Sequence, residues 1–243
     1  MKKWFIGLFL LVVTMITAQN KVIVKLEKID ELKVYNGLKI NLIKSDEQKL
    51  VIQGEKAKDV TFNNKKGVLK IKLKLASTFD SKKVTIDLYY NSNIAELDVN
   101  QGAIITSKDI FKQMNLTVSV QEASYIKLNV ELDYLKVKGV TGGNIRLNGI
   151  TKNQNVRLVS GASYEGFSLT SDQAVVYVSM GSTAEINATE ILDATAKIGA
   201  VVNYKGKPKS VTSQESLGGK VNKVQIEKDN ILQEKQETTF KQV

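Results

Sequence analysis

The chain reads as all-β, wound into a right-handed parallel β-helix (a solenoid) of about 20 residues per coil. Three observations predict this. Apolar and polar residues alternate strictly over several stretches, the mark of half-buried strands. A step of small residues returns at near-constant intervals between Gln101 and Ile198. Proline occurs once, at Pro208, and helical periodicity is hard to find.

Residues 1–18 carry Lys2 and Lys3, an apolar run from Trp4 to Ile16, and a small residue at Ala18. This is the layout of a secretory signal peptide, with cleavage expected after Ala18. The run falls short of the roughly 20 apolar residues of a membrane span. No later stretch is apolar enough to serve as one, so no transmembrane segment is expected in the mature chain. The sequence has no cysteine, which excludes a lipoprotein signal and any disulfide, although an exported protein would meet an oxidising compartment. The localisation that follows is export: periplasmic, outer-membrane-associated or secreted.

Residues 19–33 form an N-terminal segment, and residues 34–221 the β-helical domain. "GLKINLI" and "KLVIQG" flank the polar turn "KSDEQ". In "VLKIKLKL", Leu69, Ile71, Leu73 and Leu75 share one face, with Lys70, Lys72 and Lys74 on the other. "KVTIDLYY" places Val84, Ile86 and Leu88 on one face. This region before residue 100 is less regular. It reads as first coils with longer turns, or as a cap over the open end, which a solenoid needs because its last coil leaves strand edges unpaired.

From residue 101 the repeat is clear: "QGAII", "QEASY", "TGGNI", "SGASY", "MGSTA" and "IGAVV". One column holds Ala103, Ala123, Gly143, Ala162, Ser182 and Ala200. Two places on, another holds Ile105, Tyr125, Ile145, Tyr164, Ala184 and Val202. Stacked coils place such equivalents about 4.8 Å apart. Residues inside a narrow bend must be small, whereas the wider lumen takes the larger ones. Crossovers between parallel strands favour right-handed coiling. A twisted antiparallel meander or β-prism would also alternate, but has less need of a small residue at one phase. The polar tail 222–243 is expected to cover the last coil through Val224 and Ile226 and to fray beyond Ile231.

The "GAS" steps, "VNYKGKPKSV" (Val202–Val211) and the glycine pair of "SLGGKV" together resemble the putative auto-transporter adhesin head GIN domain family, over residues 34–221. The resemblance implies a β-helical, exported, non-enzymatic protein, and brings no functional residue with it. The chain departs from the pattern at Glu122, in place of glycine, and at "GST" after Met180.

Composition limits the chemistry. With no histidine and no cysteine, the chain lacks an imidazole base, a Ser-His-Asp triad and thiolate or imidazole metal ligands. No cofactor is expected. Carboxylates, lysines and tyrosines remain. Glu165 and Glu185 fall in one column on adjacent coils, near the separation of a retaining glycosidase pair; with Arg146 beside Glu165, they read instead as an outward ion-pair ladder, and no catalytic residue is assigned. Asp109, Asp133, Asp172 and Asp193 share no clear column. The net charge of +10 suits an anionic partner, such as a polysaccharide or another cell-envelope component; nucleic acid is not expected, for want of a recognition motif. Lys65, Lys66, Lys70, Lys72 and Lys74 form a basic strip, and Lys70, Lys72 and Lys74 are the candidate binding residues. Tyr89, Tyr90, Tyr134 and Tyr177 are candidate sugar platforms, and Ser124, Asn144, Ser163 and Thr183 a polar column beside the bend. Two classes are weighed: an exported binding or adhesion module without catalysis, and, as the alternative, a carbohydrate-active enzyme working with carboxylates alone. The absent histidine and the unclustered acids decide for the first, a protein that is not an enzyme.

Overall fold

Alternating sequence becomes paired strand over most of the computed structural model, which describes residues 21–224. The exceptions include 3-10 segments at Ala57–Asp59 and Leu75–Lys83, so the alternation read through Leu75 ends as strand at Leu73. The signal peptide, Ile226 and the tail beyond Ile231 lie outside the described residues. The first strands are β1 (Lys21–Lys25), β2 (Glu31–Val34), β3 (Lys39–Lys44), β4 (Lys49–Gln53), β5 (Val60–Lys65), β6 (Val68–Leu73), β7 (Thr85–Tyr90) and β8 (Glu96–Val99). Five long strands follow: β9 (Ile104–Gln121), β10 (Tyr125–Val140), β11 (Asn144–Val159), β12 (Ser163–Ser179) and β13 (Thr183–Lys197). The chain closes with β14 (Val201–Gly206), β15 (Ser210–Ser216) and β16 (Lys220–Lys223).

The long strands pair in parallel, each with the next; β10 and β11 keep one register throughout, whereas the other pairs shift register at bulges. The result is a parallel β-solenoid. Each long strand bends between two walls, because a straight strand of this length would run on the order of 50 Å. The bend is visible as a slip in the alternation: Asp133 and Tyr134 both face outward between the buried Leu132 and Leu135. Lys152–Asn153 and Asp172–Gln173 repeat the slip in the next coils.

The N-terminal region is both coil and cap, and its layers are out of sequence order. β2 lies between β6 and β8, parallel to both; β3 likewise lies between β7 and β9. The layer built from β6 and β7 therefore sits outside the one that precedes it in sequence. Antiparallel strands then close that end, β4 and β1 beyond β7 and β5 beyond β6. The other end has a polar last coil. Ser213 and Glu215 stand opposite the buried Ala194 and Ala196, and a Glu215 carboxylate oxygen accepts a 2.7 Å hydrogen bond from the Val221 N–H. Inward charge of this kind discourages a further strand from adding to the edge.

The small-residue step is a stack of tight turns. Gln101–Gly102, Thr141–Gly142, Ser160–Gly161, Met180–Gly181, Ile198–Gly199 and Leu217–Gly218 each hold two successive residues at positive φ. That is the backbone of a type I′ turn, and it favours glycine at the second place. Successive turns are hydrogen-bonded: Gly142 N–H donates to Ser160 O at 3.0 Å, and Gly161 N–H to Met180 O at 2.9 Å. The next residue points inward against the previous coil. A Cβ on Gly143 would lie 2.2 Å from the Val120 carbonyl oxygen.

One coil corrects the column read from the sequence. In "QEASY" the turn residues are Glu122 and Ala123, at φ +56° and +57°. Ala123 is exposed, and the inward positions are held by Ser124 and Ile126, both fully buried. Ser124 thus belongs to the small column, whereas Tyr125 joins Asn144, Ser163 and Thr183 on the outside. Ala123 occupies the position that the other turns give to glycine, and an L-residue there is strained by roughly 1–2 kcal/mol. Ala123→Gly is therefore expected to raise stability by up to about 1 kcal/mol, once the extra unfolded-state freedom of glycine is set against the relief. A urea titration checks it, and a loss of stability would contradict the turn assignment.

Candidate functional site

Of the candidate binding lysines, Lys70 and Lys72 project from β6, alternating with Leu69, Ile71 and Leu73, which are buried, and Lys74 follows the strand at the start of a 3-10 helix, Leu75–Lys83. β5 folds back on β6 through a turn at Lys66–Gly67, where both residues have positive φ. It sets Asn63 opposite Lys70 and Thr61 opposite Lys72. On the other side Tyr35 N–H donates to Ile71 O at 3.1 Å, which brings Tyr35 alongside.

The result is an open groove of about 760 Å³ lined by Lys70, Lys72, Lys74, Thr61, Asn63, Phe62, Tyr35, Asn36 and Gln101. Lys74 lies 3.8 Å from Asp59. Neither Lys70 nor Lys72 takes part in an ion pair among the described residues. Burial pushes the Tyr35 hydroxyl pKa up, so it stays a neutral donor. Lys65 and Lys66 do not line this groove; they sit at the hairpin end. Tyr35, Phe62 and Asn63 were not singled out from the sequence. The signal for them was "KKG" between two alternating runs, which is hairpin chemistry.

The candidate carboxylate pair lies where its spacing puts it. Arg146, Glu165 and Glu185 are register partners on β11, β12 and β13. The Arg146 guanidinium donates to the Glu165 carboxylate through Nε and Nη2. Burial, and then the charge of Glu165, push the Glu185 carboxyl pKa upward. The sign follows. A carboxyl whose pKa is raised in the folded state favours folding at low pH and loses that contribution as pH rises through the folded value. At neutral pH Glu185→Gln is therefore expected to be at least as stable as the parent. Glu165→Gln should leave the melting temperature essentially unchanged, since an exposed ion pair contributes little. A large thermal shift in either variant would contradict the outward-ladder assignment.

Two other expectations are corrected. Tyr90 is no sugar platform. It is buried, stacks on Phe111 at 5.2 Å between ring centroids, and burial raises its pKa to about 12. Asp133 and Asp172 do share a column, the bend of the coil, but Lys152 stands between them, with Nζ 2.7 Å from Asp133. A cation in that place opposes metal binding there. No group of three or more metal-ligating side chains occurs among the described residues. Tyr89 is half-buried, with Lys49 Nζ 5.0 Å from its ring centroid. Tyr134 is 56% exposed. Tyr177 carries the Arg157 guanidinium over its ring at 4.4 Å.

A family model described as "Putative auto-transporter adhesin, head GIN domain" matches residues 28–208. Among solved structures, a putative adhesin from Bacteroides fragilis is similar at TM-score 0.77 and 15% identity, over 86% of this chain and 98% of that one. A putative lipid binding protein from Parabacteroides distasonis is similar at TM-score 0.69 and 17% identity, over 85% and 97%. A putative adhesin from Parabacteroides merdae follows at TM-score 0.69 and 14% identity, over 85% and 96%. At these identities the likeness concerns the fold. No curated protein matches the chain. No helix among the described residues is long and apolar enough to cross a membrane.

Proposed function

Because the chain belongs to the putative auto-transporter adhesin, head GIN domain family, we propose that it is an exported, non-enzymatic adhesion module that holds an acidic polysaccharide of a cell envelope. The observation that carries this reading is the groove along β6. Three lysines line it, two of them outside any ion pair among the described residues, with Tyr35 and Phe62 supplying aromatic surface. Ammonium groups attract carboxylates or sulfates along a polymer, and ring faces accept the apolar faces of sugars. The carboxylates argue against catalysis, because both guanidinium contacts of Arg146 fall on Glu165 and leave its carboxylate engaged in an ion pair.

The test is retention of the protein on immobilised acidic and neutral polysaccharides, with reducing ends measured in the same wells. The parent protein is expected to bind the acidic polymers, more weakly as salt rises, and to release no reducing ends. Lys70→Gln, Lys72→Gln and Lys74→Gln combined should weaken polymer binding at least tenfold at an unchanged melting temperature. Equal binding by the triple variant would remove the groove from the reading, and steady release of reducing ends would overturn the non-enzymatic assignment.

A further inference from the structure

A second array of cations lies on the same wall of the solenoid. The register runs Lys70, Lys33, Asp98, Ser119, Lys138 across β6, β2, β8, β9 and β10. Four strand steps separate Lys70 from Lys138, about 19 Å at the usual spacing. Lys33 and Asp98 between them are paired with each other at 3.3 Å, so the two arrays are separate.

In this second array Lys136 and Lys138 project from β10, with Asn155 and Arg157 as their partners on β11. All four side chains are exposed. Arg157 in turn faces Tyr177 on β12. The Tyr177 ring holds the Arg157 guanidinium at 4.4 Å and Lys197 Nζ at 5.9 Å, which fixes the guanidinium on the surface by a cation–π contact. Lys136, Lys138, Arg157 and Lys197 are in no ion pair among the described residues.

Two residues before Lys136, at the bend of the coil, stands the exposed Tyr134. From it a groove of about 360 Å³ passes Asn153, Gln173, Lys136 and Asn155. The side chains of Asn155 and Gln173 make no hydrogen bond among the described residues. Tyr134 and Arg157 sit one strand and four residues apart in register, about 14 Å from the spacing and rise of strands. A ring face at one end with Lys136 beside it, free amides along the floor and the Arg157 guanidinium held over Tyr177 at the other end match a chain of sugars that carries carboxylates. Sugar rings stack on tyrosine, their hydroxyls meet the amides, and guanidinium and ammonium groups pair with the acid groups.

We infer that the β9–β12 wall carries a second, independent binding site, for a short acidic oligosaccharide of the uronic-acid class. Tyr134 is its stacking platform, Arg157, Lys136 and Lys138 are its anion receptors, and Tyr177 is a positioning residue for Arg157. The site does not rest on the β6 groove.

The experiment is calorimetric titration of the whole protein with tetragalacturonate, with the combined β6 variant separating the two arrays. Galactotetraose is the uncharged control, and a short polyphosphate the control without sugar rings. Saturable binding of tetragalacturonate is expected, at least tenfold tighter than of galactotetraose. Tyr134→Ala and Arg157→Gln should each weaken it at least fivefold at unchanged melting temperature, while the combined Lys70→Gln, Lys72→Gln, Lys74→Gln variant stays within twofold of the parent. Polyphosphate binding should respond to Arg157→Gln and be indifferent to Tyr134→Ala. Absence of saturable tetragalacturonate binding overturns the proposal. So does binding that ignores both Tyr134→Ala and Arg157→Gln, or a loss that follows only the β6 triple variant, which would assign the ligand to the groove instead.

Discussion

Tyr164→Ala is expected to destabilise the solenoid by about 3–5 kcal/mol, the range of large aromatic deletions in close-packed cores. Tyr164 is the largest of the fully buried side chains, and the coil is shaped around it. A Cβ on Gly166 would lie 2.7 Å from the Tyr164 ring and 2.4 Å from the Glu185 carbonyl oxygen, so the residue two places on has no side chain. The neighbouring coils offer Ile145 and Ala184 at the same position, and neither is long enough to fill the space left by the ring. The hydroxyl has its own role. It donates to Gln154 Oε1 at 3.1 Å, Gln154 Nε2 donates to Ser171 Oγ at 2.7 Å, and Ser171 Oγ donates to Asn187 O at 3.1 Å. This chain links three coils inside the lumen, and burial drives the Tyr164 pKa strongly upward, so the proton stays in place. Tyr164→Phe keeps the ring and strands the Gln154 oxygen, which should cost about 1–3 kcal/mol. Urea unfolding of the two variants checks the order. A Tyr164→Ala shift no larger than that of Tyr164→Phe would mean that the lumen collapses around the missing ring.

The parts of the fold that were legible in the sequence are those where one rule acts alone. Alternation identified the buried faces of β6 and β7, because Leu69, Ile71, Ile86 and Leu88 follow a strict period of two. The small step identified the corner of the coil, because the left-handed turn and the close approach of the preceding coil both select small residues. The same rule misled in one coil. Alignment on the alanine of "QEASY" placed Ala123 inside, whereas Glu122–Ala123 is the turn and Ser124 the inward residue. Alanine satisfies the inward position and is tolerated at the turn, so identity alone could not separate them. The order of the first layers was not legible, since "LKV" in β2 and "LKI" in β6 present the same pattern to a neighbour. Of the candidate sites, the lysine face of β6 was legible from alternation, but its aromatic rim comes from β5 and Tyr35, which only the hairpin and the parallel pairing bring alongside. The pairing of Arg157 with Tyr177 depends on the register shift between Arg146 and Gly149, after which partners on β11 and β12 stand 20 residues apart instead of 19, and the small-residue column does not reveal that shift.

Ala162→Leu tests the corner itself. Ala162 follows the Ser160–Gly161 turn and is buried. Its methyl faces Gly139 of the preceding coil, where an added Cβ would stand 3.0 Å from the Ala162 Cβ and 2.7 Å from a Leu158 methyl. The space is therefore closed from both sides. Three more carbons at Ala162 must displace either Leu158 or the backbone, and the backbone is fixed by the stacked turns: Gly142 N–H to Ser160 O and Gly161 N–H to Met180 O. Overpacking of this kind costs about 1–3 kcal/mol, and more where nothing can yield. Ser163, the next residue, faces outward, with its hydroxyl bonded to Asn144. Ser163→Leu loses that exposed contact and should cost well under 1 kcal/mol, as surface changes do. Melting temperatures of the two variants separate inside from outside at a single peptide step. Equal shifts would place the lumen on the wrong face of β12, and with it every inward residue from Ala103 to Ala200.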